Sequence, residues 1–535
     1  MIGHAPALSQ LVDSYLDLRW HLDPVAATEA GVAEHDGRLG AFAGDDVKEN
    51  IAALRAIEAA FEALEVDELE DEIDRTAVLN DVRCRIHVGL IERPHLHNPA
   101  YWVSHFLEGL YLLLIRRDRS RAHRGRAARA RMEAAPAFFH SAEATLRECP
   151  SVFVDTAIGV VNGGVQLIEE IGRHWSEGDG VFADVTSEAV TTLESFGRFL
   201  ETRSVAVEGG FAVGDLGFRR RLELQHASSD SPEDLSRYGT ELVECVTRDI
   251  EATARAIDPS TPWPDLVDRL REDHPTADQL VGEYAEAMER ARAFVIEHDI
   301  AAIPEGVLEV VPTPSYLRPI IPFAAYQPPG LFSSDRQGLF HVTVPPRDLD
   351  AAMTDRLLSD HCRHDLATTA LHEGYPGHHL QFLSAQGLER PVRRLLPTPL
   401  IYEGWALYCE SMMAEAGFFR TPEERLFQQL ALLWRGVRVV LDVGLHTSDM
   451  TVPTAVDLLC SIVRMDRHAA EGEVRRYCAE PTYPMSYAVG RRELLALRRD
   501  YAGEHPSPGE RRAFHDAVLA RGGLPPNLMR WGMGL

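Results

Sequence analysis

The chain has 535 residues, 45% hydrophobic and 25% charged, and a formal net charge of −28 at pH 7. That length supports a sizeable core and two or three domains, and the balance is that of an ordinary soluble protein. So acidic a chain is a poor partner for nucleic acid or an anionic membrane surface. Lys48 is its single lysine.

From the N-terminus, Met1 to Trp20 has neither a basic start nor an apolar run, so no secretory signal is expected. No stretch approaches about 18 uninterrupted apolar residues, so no membrane span is expected. Leu8, Leu11, Val12, Tyr15 and Leu18 form a stripe at helical spacing. Asp45–Leu64 and Asp71–Leu90 repeat that pattern, and Trp102–Ile115 is apolar enough for a buried helix. The Arg-rich stretch 116–131 predicts a solvated loop and helix start. Helical spacing resumes over 141–173 and 187–200. Gly209 to Asp215 predicts a turn, and Ser231-Pro232-Glu233-Asp234 a capped helix start. Cys84, Cys149, Cys245, Cys362, Cys409, Cys460 and Cys478 are scattered, odd in number and without a CxxC pair. Reduced thiols in the cytoplasm are expected, not a disulfide frame.

The texture changes near residue 303, which suggests a helical N-terminal region (1–302) and a C-terminal region (303–535) carrying the chemistry. Gly306–Pro312 and Gly338–Val344 read as strands bounded by Pro and Gly. The Pro-rich segment between them is irregular. An edge strand here would bind extended peptide through its main chain, with Phe340 and His341 in contact; a small structural hairpin is the alternative. Asp355–Gln381 predicts a helix with a kink. Helices over 399–417, 423–444, 452–465 and 466–479 follow, then a turn at 480–484 and a last long helix over 485–501.

Within the kinked segment, Ala370-Leu371-His372-Glu373-Gly374-Tyr375-Pro376-Gly377-His378-His379-Leu380-Gln381 gathers three histidines and a carboxylate in eight residues. His372-Glu373 resembles the opening of a zinc-protease motif, in which the second His follows at i+4 and the Glu is general base. Here the next histidines come at i+6 and i+7, about 9 to 10.5 Å along an unbroken helix. Pro376-Gly377 would break the helix and swing His378 or His379 back toward His372. A third ligand is then needed. Tyr402-Glu403-Gly404-Trp405-Ala406-Leu407-Tyr408-Cys409-Glu410 offers Glu403, with Glu410 on the same face as its rival. Thr368 and Thr369, one turn before His372, could orient it.

HEGYPGHHLQ followed by YEGWALYCE resembles the bacterial domain-of-unknown-function family 885. That family is grouped with zinc metallopeptidases whose third ligand is glutamate. Val439–His446 and Tyr483–Gly490 resemble its later segments, in the expected order. One departure is Pro481-Thr482-Tyr483, where the family pattern leads to Pro-Gly-Gln. The resemblance implies a mainly α, neurolysin-like architecture with a deep cleft and a small β element. It favours one Zn²⁺ held by His372, His378 and Glu403, with His379 the alternative to His378. Glu373 would then be the general base. Tyr487, or failing that His446, would stabilise the oxyanion. Asp442 would hold His446 in one tautomer, Glu410 would act from behind the ligands, and Arg491 would receive a substrate carboxylate.

The expected activity is hydrolysis of short peptides or small amides, because a deep cleft excludes folded chains. The rivals are a metal hydrolase of non-peptide amides or esters and a non-catalytic metal-binding protein. Neither nucleic acid nor membrane is expected as a partner, and a homodimer stays open.

Overall fold

The computed structural model describes all residues except 1–4, 176–179, 203–205, 208, 315–317, 319–320, 322, 348 and 396–397. Met1–His4 and part of the Pro-rich segment read above therefore lie outside the described residues. The chain is 72% helical and carries a small three-stranded sheet, so it is mainly α, as expected.

One apolar core crosses the whole sequence. Leu8, Val12, Phe61, Ile73 and Val82 pack in the same cluster as Leu371, Trp405, Leu494, Phe514 and Leu528. A second cluster is built from residues 25 to 200, including Trp102, Phe106, Phe139 and Leu193, joined by Ile321. A third joins the helices Gly214–His226 and Pro232–Ile257 to Leu407, Leu433 and Val489. Among the described residues Ser151–Trp175 is long and apolar enough, by length and composition, to cross a membrane. Here its stripe of Ala157, Val161, Leu167, Ile168 and Ile171 packs in the second cluster, against Pro99–Ile115 and Gly180–Thr202.

The Arg-rich stretch is less solvated than its composition predicts. Arg131 is fully buried, and its guanidinium donates to the carbonyls of Arg38 and Gly109 and to Thr28 Oγ1. Burying an arginine is tolerated when its donors are met. Arg119 likewise pairs with the buried Asp36.

The sheet also differs from a hairpin. Gln337–Val342 is its central strand, parallel to Val307–Pro312 and antiparallel to a short strand, Ala324–Gln327, inside the Pro-rich segment. Phe340 and His341 therefore lie on a strand already paired on both sides, and both are buried. His341 Nε2 donates to Gln327 Oε1 at 3.2 Å. The peptide-binding role expected of them is not supported.

The kinked segment resolves into three helices, Ala351–Ser359, Arg363–Glu373 and His378–Gln386. Three long helices surround the latter two. They are a glutamate helix (Pro399–Glu415), an arginine helix (Pro422–Thr447) and a tyrosine helix (Ser486–Ala502). The glutamate and tyrosine helices touch along their length. At their crossing a Cβ on Gly490 would overlap the Leu400 carbonyl oxygen and stand 2.7 Å from the Gly404 Cα, so this approach requires the two glycines.

Candidate metal centre

His372 ends one helix and His378 opens the next. The break between them lets the chain turn back on itself. The Gly377 amide donates to the Leu371 carbonyl at 3.0 Å, and a Cβ on Gly377 would overlap the His372 carbonyl oxygen. The glutamate helix ties this turn down: the Trp405 indole donates to the Pro376 carbonyl at 2.8 Å, and the Cys409 thiol reaches the same oxygen at 3.7 Å. The imidazoles of His372 and His378 end 4.9 Å apart, nearly perpendicular.

Glu403 closes the set. Its Oε2 is 3.4 Å from His378 Nε2 and 3.9 Å from His372 Nε2, and the three ligand atoms all lie within 4.8 Å of one another. Two ligands about 2.0 Å from a tetrahedral ion stand about 3.3 Å apart, so the set fits one zinc ion. Behind it, His372 Nδ1 donates to Glu410 Oε1 at 2.7 Å, which leaves Nε2 to face Glu403. Glu410 is fully buried and orients the His372 ring. His379 points elsewhere, its Nδ1 3.0 Å from the Tyr326 hydroxyl. Thr369 pairs with Tyr284 instead of orienting His372.

The carboxylate carries its charge in a buried place. Burial would raise the Glu403 pKa, but the hydrogen bond and charge of His378, with His372 and Tyr483, hold it at about 2. Burial alone would lower His378, and Glu403 raises it instead. The other Glu403 oxygen, Oε1, accepts from the Tyr483 hydroxyl at 2.6 Å.

Tyr483 is held in turn by Asp442. This aspartate accepts from the amides of Thr482 and Met485 at 3.1 and 3.0 Å. Burial pushes its pKa up to about 7 despite those two bonds. Thr482 adopts a left-handed φ of 70°. Its hydroxyl meets His226 Nε2 at 2.9 Å, and His226 Nδ1 meets Thr398 Oγ1 at 2.7 Å.

The remaining expected residues divide. Glu373 and Tyr487 face a cleft of about 670 Å³ that also exposes His372, His378 and Glu403. Among the described residues Glu373 has no hydrogen bond or ion pair. His446 is displaced from the expected role. It is buried, stacked on Phe218, and bonded through Nε2 to the Tyr477 carbonyl at 3.0 Å. Asp442 therefore holds a turn, not His446. Arg491 is not on the cleft wall and donates to Ser411 Oγ at 2.6 Å.

The cleft also has walls that sequence reading missed. Tyr402, Tyr483, Trp434 and Arg435 come from the C-terminal half, Tyr326 from the Ala324–Gln327 strand, and Arg19, Trp20 and Glu29 from the N-terminal helices. Tyr483 had a signal, lying four residues before Tyr487 in the same motif. The N-terminal wall had none, because only tertiary packing brings it there.

A mainly helical fold with a His-His-Glu cluster on the wall of a cleft is thus the class of protein the geometry defines. The chain belongs to the family described as "Bacterial protein of unknown function (DUF885)", which matches residues 24–533. No curated protein matches it. One similar solved structure is described as "a putative lipoprotein of unknown function from Shewanella oneidensis". It is 20% identical, with 99% of this chain and 100% of that one covered and a TM-score of 0.81. Another, "the putative lipoprotein from Colwellia psychrerythraea", is 17% identical, with 99% and 98% covered and a TM-score of 0.82. At these identities the likeness establishes the fold.

Proposed function

We propose that the chain is a zinc-dependent hydrolase of short peptides. The observation that carries this reading is the convergence of His372 Nε2, His378 Nε2 and Glu403 Oε2 within 4.8 Å on the wall of a cleft that also holds the unpaired Glu373. A structural zinc site is closed by four protein ligands, whereas three protein ligands leave a position for chemistry. Zinc, when bound, supplies a Lewis acid and lowers the pKa of water toward about 7.

The chain's own groups supply the rest. The Glu373 carboxylate takes a proton from the attacking water and passes it to the leaving amine. The Tyr487 hydroxyl donates to the oxyanion of the tetrahedral intermediate, because the Tyr483 proton is already directed at Glu403. Glu410 holds the His372 tautomer. Trp434, Phe382 and Leu395 give the cleft apolar walls that exclude water from the reacting bond.

The test begins with elemental analysis of purified protein and expects one zinc per chain. A peptide panel, run beside small amides and esters, should show peptide cleavage. Glu373→Gln should lower kcat/KM by about 10²–10⁴ while zinc stays bound. Protein without stoichiometric zinc, or a fully active Glu373→Gln, sinks the reading; turnover of the small amides and esters alone favours the non-peptide hydrolase.

On location, none of the seven cysteines is joined in a disulfide, which supports a reducing cytoplasm. The descriptions of the two solved structures favour an anchored, extracytoplasmic one. Fractionating cells that produce the protein distinguishes them.

A further inference from the structure

The cleft wall carries three arginines whose surroundings differ. Arg19 pairs with Asp81 at 3.1 Å. Arg438 pairs with Glu473 at 3.0 Å and donates to the Tyr477 hydroxyl at 2.8 Å. Arg435 has no such partner. Its Nη1 donates only to the Ala431 carbonyl of its own helix, at 3.3 Å, and its buried Nε has none. Among the described residues no carboxylate lies within ion-pair distance of it. The charge it does influence is Asp365, whose carboxyl burial raises to about 6 against the pull of Arg435.

The position of this cation is as telling as its lack of a partner. Its guanidinium carbon lies 5.0 Å from the Trp434 ring and 5.9 Å from the ring of Tyr487, the residue assigned to the oxyanion. A partly desolvated guanidinium with free donors is a fork for a carboxylate, bound through two parallel N–H···O bonds. Lysine would offer only a point charge.

We propose that Arg435 receives the C-terminal carboxylate of a short peptide, so that the enzyme cleaves close to a free C-terminus. This builds on the peptidase reading and names its substrate class. One residue of extended peptide spans about 3.3–3.6 Å. A carboxylate anchored beside Tyr487 therefore fixes the reacting carbonyl only a few residues away.

The experiment uses zinc-loaded full-length protein and a mixture of tripeptides randomised at each position, supplied as free acids and as C-terminal amides. Consumption is followed by mass spectrometry, and binding by calorimetry on zinc-loaded Glu373→Gln. Wild type should consume the free acids faster than the amides by about tenfold or more, and Glu373→Gln should bind them preferentially by a similar factor. Arg435→Met should abolish the preference and Arg435→Lys should restore part of it. Equal treatment of acids and amides by wild type overturns the proposal, as does a preference that survives Arg435→Met or a failure to bind either mixture. The two readings fail separately. Cleavage without end preference leaves the peptidase standing and removes Arg435. Arg435-dependent binding without any cleavage does the reverse.

Discussion

Tyr483 and Glu410 act on the proposed zinc set from opposite sides, one through the Glu403 carboxylate and the other through the His372 imidazole. Tyr483→Phe leaves Glu403 Oε1 buried without its donor. It should weaken zinc affinity about 10–100-fold, read by competition with a chelator dye, while the fold by circular dichroism stays unchanged. Zinc affinity equal to wild type would mean that the 2.6 Å bond does not steady Glu403. At this scale the sequence was informative where chemistry is dense. His372, Glu373, His378 and Glu403 were legible because few other uses explain three histidines and two acids at such spacings. His446 and Arg491 misled because type and helical phase do not show which way a side chain faces. His446 meets a backbone carbonyl, and Arg491 meets Ser411. Arg435 was invisible for the same reason, one more arginine on a helix that also carries Arg425 and Arg438.

Helices bring the centre together through close backbone approaches that only glycine permits. Gly377→Ala would push the turn away from the His372 carbonyl and carry His378 with it. Gly490→Ala would force the tyrosine helix off the glutamate helix. Each should cost about 1–3 kcal/mol or more of stability and should also abolish stoichiometric zinc, measured by calorimetry and elemental analysis on the same preparation. Retention of zinc in both variants would show that the crossings adjust freely. Pattern alone predicted the break at Pro376-Gly377, since the histidine spacing makes sense only if the helix stops. It did not predict the parallel pairing of Val307–Pro312 with Gln337–Val342, because a third strand lay inside a Pro-rich stretch that reads as loop. Strand order is set by tertiary partners, and local sequence does not encode them.

For the molecule as a whole, acid should be more damaging than its many surface carboxylates suggest. Burial holds His226 down to about 3, and His361, His446 and His515 to about 4, well below their unfolded value of about 6.5. These groups are neutral when folded and take up protons when unfolded. Their stabilisation is therefore complete above about pH 6.5 and is lost as pH falls toward 4, by at most about 1.4 kcal/mol per pH unit for each. Melting temperatures of chelator-treated protein at pH 7.5, 6 and 5 should fall steadily, and a flat profile would contradict the burial of these rings. The shared core has a further bearing, on biosynthesis. Leu8, Val12 and Ile73 belong to the same core as Leu494, Phe514 and Leu528. As the ribosome makes the chain from its N-terminus, those first helices emerge long before the surface they must meet. They have to wait, greasy faces unsheltered, until those later helices have been made, so the growing polypeptide should lean on chaperones in the meantime.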